Sequence, residues 1–162
     1  MIMSVKNVLF KDYIMINSEI KATGRLSVVL KDSSGQIKEN REINNLVVTS
    51  GLGYITSRMK DATETAMGYM AIGTGTTAAA AGDTALGTEL DRNAVSSVTV
   101  TGNQVAYAAT WNAGDGTGAV TEAGIFNADT AGTMLARTVF DVVNKAANDT
   151  LSITWTITLS AS

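Results

Sequence analysis

Neither cysteine nor histidine occurs anywhere in the 162 residues. Without them the chain has no disulfides, no thiolate or imidazole metal ligands, and no Ser-His or Cys-His nucleophilic machinery. It also lacks the side chain that most often moves protons near neutral pH. Proline is absent too, where average usage would supply about eight, so turns must be built from Gly, Asn, Asp and Ser. Charge is sparse: 12 basic residues stand against 15 acidic ones, for a net charge of −3. The basic residues are scattered and leave no footprint for a phosphate backbone, so nucleic acid is not an expected partner. Residues 1–10 contain Lys6 but no apolar run long enough for a signal peptide. No later segment approaches the ~20 apolar residues of a membrane span. The expected location is the cytoplasm, or a particle assembled there, with no membrane partner.

What is present is a chain that is 45% hydrophobic, too apolar for disorder. As one domain of this length it can bury roughly 68–70% of the surface its unfolded form exposes. The clearest periodicity lies near the C-terminus, where Leu151, Ile153, Trp155, Ile157 and Leu159 alternate with Ser and Thr. That spacing predicts a strand with one buried face. Residues 104–111 read the same way through Val105, Tyr107, Ala109 and Trp111, with Val98 and Val100 preceding them across Thr101-Gly102-Asn103 as a hairpin. Strands are also predicted at residues 25–31 and 36–43, across the turn Asp32-Ser33-Ser34-Gly35, and at 119–126 and 133–141, across residues 127–132. Leu52, Ile55 and Met59 recur at helical spacing behind Ser50, which predicts one short helix capped by Ser50. Residues 73–90 are Gly-Thr-Ala-rich and read as a long loop carrying at most one helical turn. Strands spaced this regularly predict a mainly β fold, an antiparallel β-sandwich or jelly-roll-like body with one short helix. In that reading residues 24–162 form the domain and residues 1–23 an arm or edge segment, apolar enough at Val8, Leu9, Phe10, Tyr13, Ile14 and Ile16 to pack somewhere, or equally to dock on a neighbouring subunit.

Candidate chemistry is thin. Gly73-Thr-Gly75-Thr-Thr-Ala78 has the outline of a dinucleotide fingerprint, but no crossover helix or acid at the right distance follows it, and a structural loop is the better reading. Asp115-Gly116-Thr117-Gly118 and Asp83-Thr84-Ala85 do not match the Asp-Thr-Gly of aspartic proteases and read as turn text. Asp83, Asp91, Asp115, Asp129 and Asp149 lie in loops where calcium could bind, yet none has the ligand spacing of a known cage, and solvated loop acids are the simpler reading. Asn148-Asp149-Thr150 fits a glycosylation sequon that carries no weight without a secretory signal. Trp111 and Trp155 fall on apolar strand faces and are read as core rather than as a carbohydrate platform. Glu122 and Arg137 stand out as charges in apolar strand text. They are expected at an edge or in contact with a neighbouring subunit. No cofactor, metal or catalytic residue is expected.

Four stretches occur in order: Asn45-Leu-Val-Val-Thr-Ser-Gly51-Leu, Met70-Ala-Ile-Gly-Thr-Gly-Thr-Thr, Asp83-Thr-Ala-Leu-Gly-Thr-Glu-Leu90 and Thr121-Glu-Ala-Gly-Ile-Phe-Asn127. The ordering, spread over about residues 24–159, resembles that of small virion structural proteins of tailed bacteriophages, of the tail-fibre-like or head-decoration kind. The resemblance implies a non-enzymatic β-rich module that assembles on a virion as a symmetric oligomer, and it brings no catalytic residues with it. The absence of any repeated shaft sequence favours a short accessory protein over a long fibre. The expectation is a capsid decoration or cement protein, trimeric or otherwise oligomeric, whose partners are itself and the major capsid protein, the latter contacted by the N-terminal segment and loops. Two alternatives stay open: a tail-fibre or baseplate-associated module that recognises a host surface or glycan, and a hydrolase using paired carboxylates, for which no pairing is visible.

Overall fold

The structure, a computed structural model, describes residues 19–161. It contains β1 (Ile20–Lys31), β2 (Ile37–Val47), α1 (Thr49–Lys60), β3 (Tyr69–Gly73), β4 (Glu89–Ala94), β5 (Ser97–Thr101), β6 (Gln104–Trp111), β7 (Gly118–Phe126), β8 (Met134–Lys145) and β9 (Thr150–Ala161). The fold is mainly β with one short helix, as expected. Residues 20–23 of the stretch read as an arm belong to β1; residues 1–18 lie outside the described part. Among the described residues no helix is long and apolar enough to cross a membrane.

All nine strands join one antiparallel sheet, in the order β4-β3-β7-β8-β2-β1-β9-β6-β5, curled into a half-barrel. Two local features impose the curl. β2 pairs with β1 along residues 37–45 but with β8 only through Leu46 and Val47, so the sheet bends where β2 passes from one neighbour to the other. Beyond that corner β2 and β8 part, and the Arg41 guanidinium bridges them by donating to the Asp141 and Val142 carbonyls. At the opposite corner the outermost strands, β4 and β5, are separated in sequence only by Val95 and Ser96. The Val95 N–H donates to the Gly68 carbonyl on the β3 side and the Ser96 N–H to Ala108 on β6. A two-residue link between the two edges of a sheet can exist only if the edges are brought together.

The concave face holds one core. Leu26, Val28 and Leu30 of β1, Ile153, Trp155 and Ile157 of β9, Trp111 of β6, Ile72 of β3 and Ile125 of β7 all belong to it. Both tryptophans are fully buried, in agreement with the core reading. The Trp155 indole donates to Asn45 Oδ1 at 2.9 Å, and Asn45 reaches it across Gly24, its partner in the β1–β2 register. A Cβ on Gly24 would occupy the space of the Asn45 amide.

The turn at residues 32–35 forms as its composition predicts, with Asp32 Oδ1 accepting from the Ser34 and Gln36 amides. The helix departs from its prediction. Ser50 is not the cap: α1 starts at Thr49, the N-cap is Val48, and the Ser50 hydroxyl donates instead to the Met134 carbonyl. Nor are Leu52 and Met59 the buried face, since both are exposed while Tyr54 and Ile55 pack on the core. The reason is Gly51, which lies against β8 so closely that a Cβ there would overlap the Leu135 carbonyl. That contact sets the helix rotation.

Two glycines of this helix therefore respond oppositely to the same substitution. Alanine is better than glycine in a helix by about 1 kcal/mol, and at Gly53, where nothing lies within 4 Å, Gly53→Ala is expected to stabilise by up to that amount. At Gly51 the obstacle is backbone, so the cost of overpacking, typically about 1–3 kcal/mol, outweighs the propensity gain. Thermal unfolding of the two variants should show shifts of opposite sign.

Candidate functional site

On the convex side, residues 74–88 fold back over β3, β7 and β8. Leu86 packs there with Val48, Ala71, Phe126 and Met134 in a second, smaller apolar cluster. The Arg92 guanidinium stacks 3.7 Å above the Phe126 ring. These three strands are thus covered on both faces, although the loop has little side-chain volume of its own. What holds it is charge.

Glu122 and Arg137, the two residues singled out from sequence, lie at the centre of this layer with 0% and 3% of their surface exposed. The structure brings them together: Arg137 Nη2 and Nε donate to Glu122 Oε2 at 2.7 and 3.1 Å. Glu122 Oε1 also accepts from the Gly75 and Thr88 amides, and Oε2 from the Gly87 amide. The guanidinium reaches further into the loop, to Asp83 Oδ2 at 2.7 Å and the Thr77 carbonyl at 3.0 Å. Five donors occupy the Glu122 carboxylate, so it clamps a loop and is closed to solvent. The glycines that resemble a nucleotide fingerprint serve this clamp: a Cβ at Gly73 would lie 2.6 Å from Glu122 Oε1, and one at Gly75 would overlap the carboxylate. The anion in this Gly-rich cradle is the protein's own.

Burial alone would raise the Glu122 pKa, but the amides of Thr88 and Gly87, then Arg137 and Gly75, hold it below the ordinary carboxylate value. Asp83 is lowered as well, chiefly by the Ala80 amide. A carboxylate with a depressed folded pKa contributes stability above its unfolded pKa, roughly 4.3 for Glu, and loses it as pH falls through the folded value. Urea unfolding between pH 7 and 3 should therefore show the gap between the native chain and Glu122→Gln narrowing in the acid range. A constant gap would mean that the charge on Glu122 is immaterial.

Sequence reasoning missed Asp83 as Arg137's second partner and missed a similar brace at one end of the sheet. There Lys145, nearly fully buried, donates to the carbonyls of Asn112 and Asp149 at 2.9 and 2.8 Å. Asp149 Oδ2 accepts from Lys38 Nζ and the Ala146 amide. Burial pushes the Lys145 pKa down, against the opposing pull of Asp115, Asp149 and Asp91. Of the loop acids considered for calcium, Asp83 and Asp149 are thus engaged by Arg137 and Lys38, and among the described residues no three acidic side chains gather as a metal site. A lysine closing the apolar text Val142-Val143-Asn144-Lys145 was the available signal.

The remaining feature is a groove of about 540 Å³ where the half-barrel opens between α1 and the β5–β6 hairpin. Tyr54 and Met67 form one wall; Val100, Tyr107, Ile157 and Leu159 form the other. Val98 and Val100 stand opposite Tyr107 and Val105 in the core-facing phase, yet they are 49% and 73% exposed. Tyr107 is buried enough that its hydroxyl pKa is pushed up to about 12. The groove offers shape and apolar surface, with few groups that could carry out chemistry. Comparison of the chain with known protein families, with curated proteins and with solved structures finds no match.

Proposed function

We propose that this chain is a virion structural protein, a capsid decoration or cement subunit that binds the major capsid protein and copies of itself and stabilises the head shell. The observation that supports it most is where the fold spends its buried charges. Glu122, Arg137, Lys145 and Asp149 all brace the chain's own loops, which yields a stiff body whose free features are surfaces and sheet edges. In this reading the two halves of the curled sheet, facing each other across one core, serve as a sandwich-like or jelly-roll-like module. A neighbouring subunit would meet Glu122 and Arg137 indirectly, through the 74–88 loop they hold. The convex face of β1, β2 and β9 is a shallow polar surface of Thr23, Ser27, Thr154, Thr156 and Thr158 beside the exposed Arg25–Glu42 ion pair, a surface on which a second subunit could pack.

A ligand that prefers the assembled shell shifts the equilibrium toward it. Particles lacking the protein should therefore lose their contents at lower temperature and pressure than complete ones, and adding purified protein back should restore resistance. Equal resistance with and without it would refute the cementing role. The tail-fibre or baseplate reading, with a glycan stacked on aromatics, draws no support from Trp111 and Trp155, which both lie in the core.

A further inference from the structure

We propose that the open apolar groove is the docking site for residues 8–16 of the same chain. The groove is a continuation of the core that the described residues leave uncovered. Its sheet wall carries the inward phase of β5, β6 and β9 out to the rim, where the described residues leave Val98 and Val100 exposed and Leu159 half-buried. Exposed contiguous apolar surface of this kind marks a binding surface rather than a solvated face.

The preceding chain starts at that same rim. Ile20, 76% exposed, pairs with Ala161, and Ala22 pairs with Leu159, a groove residue. β1 and β6 are separated only by β9, a distance of about 10 Å at the usual strand spacing, which three extended residues span. Asn17, Ser18 and Glu19 provide that link. Residues 8–16 read Val-Leu-Phe-Lys-Asp-Tyr-Ile-Met-Ile, apolar or aromatic except at Lys11 and Asp12. Arg58 on the helix side of the groove gives Asp12 a cation to face. The occupant is the chain's own segment because a short tether holds it at a millimolar effective concentration, which a second copy in dilute solution does not match.

The native chain has no cysteine, so pairs can be introduced cleanly into the full-length protein. Phe10→Cys combined with Val100→Cys, treated with a short bismaleimide in dilute solution, should cross-link within one chain. The yield should exceed by about tenfold that of Phe10→Cys with Lys31→Cys, whose second site lies at the far end of β1, as expected from tethering. Cross-links at dimer mass would place a second copy in the groove, and equal yields for the two pairs would mean that the segment does not dock; either result overturns the assignment. A second readout avoids cysteine: Phe10→Asp should raise the fluorescence of a groove-binding hydrophobic dye several-fold, and an unchanged signal would count equally against it. Both are measured on the isolated chain, so docking stands or falls separately from the role on a virion.

Discussion

Arg137→Ala is expected to destabilise the protein by about 3–5 kcal/mol, the usual cost of removing one member of a buried ion pair. The substitution leaves the Glu122 carboxylate buried with its three backbone amides but without its counter-charge, and it releases Asp83 and the Thr77 carbonyl from the guanidinium. For a domain of this size each kcal/mol is worth roughly 2–4 °C in Tm, so a fall of about 10 °C is the outcome to look for. Replacing both partners, Glu122→Gln with Arg137→Met, should cost less than the sum of the two single changes, because the double variant leaves no fully buried unpaired charge and strands only the partly exposed Asp83. The same variant should expose the 74–88 loop to proteolysis before the rest of the fold, since the loop has few apolar anchors besides Leu86. A loss below about 1 kcal/mol for Arg137→Ala would mean that the pair behaves as an exposed one and that something else holds the loop.

Trp155→Ala should be about as severe, at roughly 3–5 kcal/mol. Trp155 is fully buried at the centre of β9, between β1 and β6, where Leu26 and Tyr107 stand opposite it. The cavity adds to the lost transfer energy because the flanking strands are hydrogen-bonded on both sides and cannot collapse inward. Trp155→Phe keeps most of the volume but deletes the indole N–H, leaving Asn45 without a bond to either end of its amide, since Asn45 Nδ2 already has no partner among the described residues. A buried amide left unpaired costs about 1–3 kcal/mol. Chemical denaturation should therefore rank the native chain above Trp155→Phe and Trp155→Phe above Trp155→Ala. Equality of the last two would show that the Asn45 bond matters more than the volume.

The strands legible from sequence are those with one buried and one solvated face. β9 and β6 alternate cleanly because water lies on their convex side. β3 was not recognised as a strand: Met70, Ala71 and Ile72 are all fully buried, one face against the core and the other under Leu86, and a strand covered twice has no alternation to read. β4, with the sequence Glu-Leu-Asp-Arg-Asn-Ala, is a polar edge whose place comes from pairing with β3. On β7 the register with β8 jumps between Val120 and Glu122, so Val120 faces the core with Ala123 and Ile125 while Glu122 turns outward. Nothing in the alternation announces such an irregularity.

The same limit shaped the reading of the site. Glu122 and Arg137 are conspicuous as charges among apolar residues, but nothing in a loop made of Gly, Thr and Ala signals that it covers them. It does so with backbone amides, which every sequence has and composition does not reveal. The groove was hidden for a related reason: Val98 and Val100 follow the core phase of their hairpin, and only the strand order shows that nothing among the described residues lies over them. The half-barrel itself became visible once β4 and β5, neighbours in sequence, proved to be the opposite edges of one sheet.

The proposed role on a virion is tested most directly by counting. Under that proposal, quantitative mass spectrometry of purified particles of a phage that would encode this chain gives its number of copies relative to the major capsid protein. The decoration reading predicts a ratio set by the head lattice, comparable to that of the capsid protein. A few copies per particle would move the chain to the tail, and its absence from particles would contradict the virion role altogether.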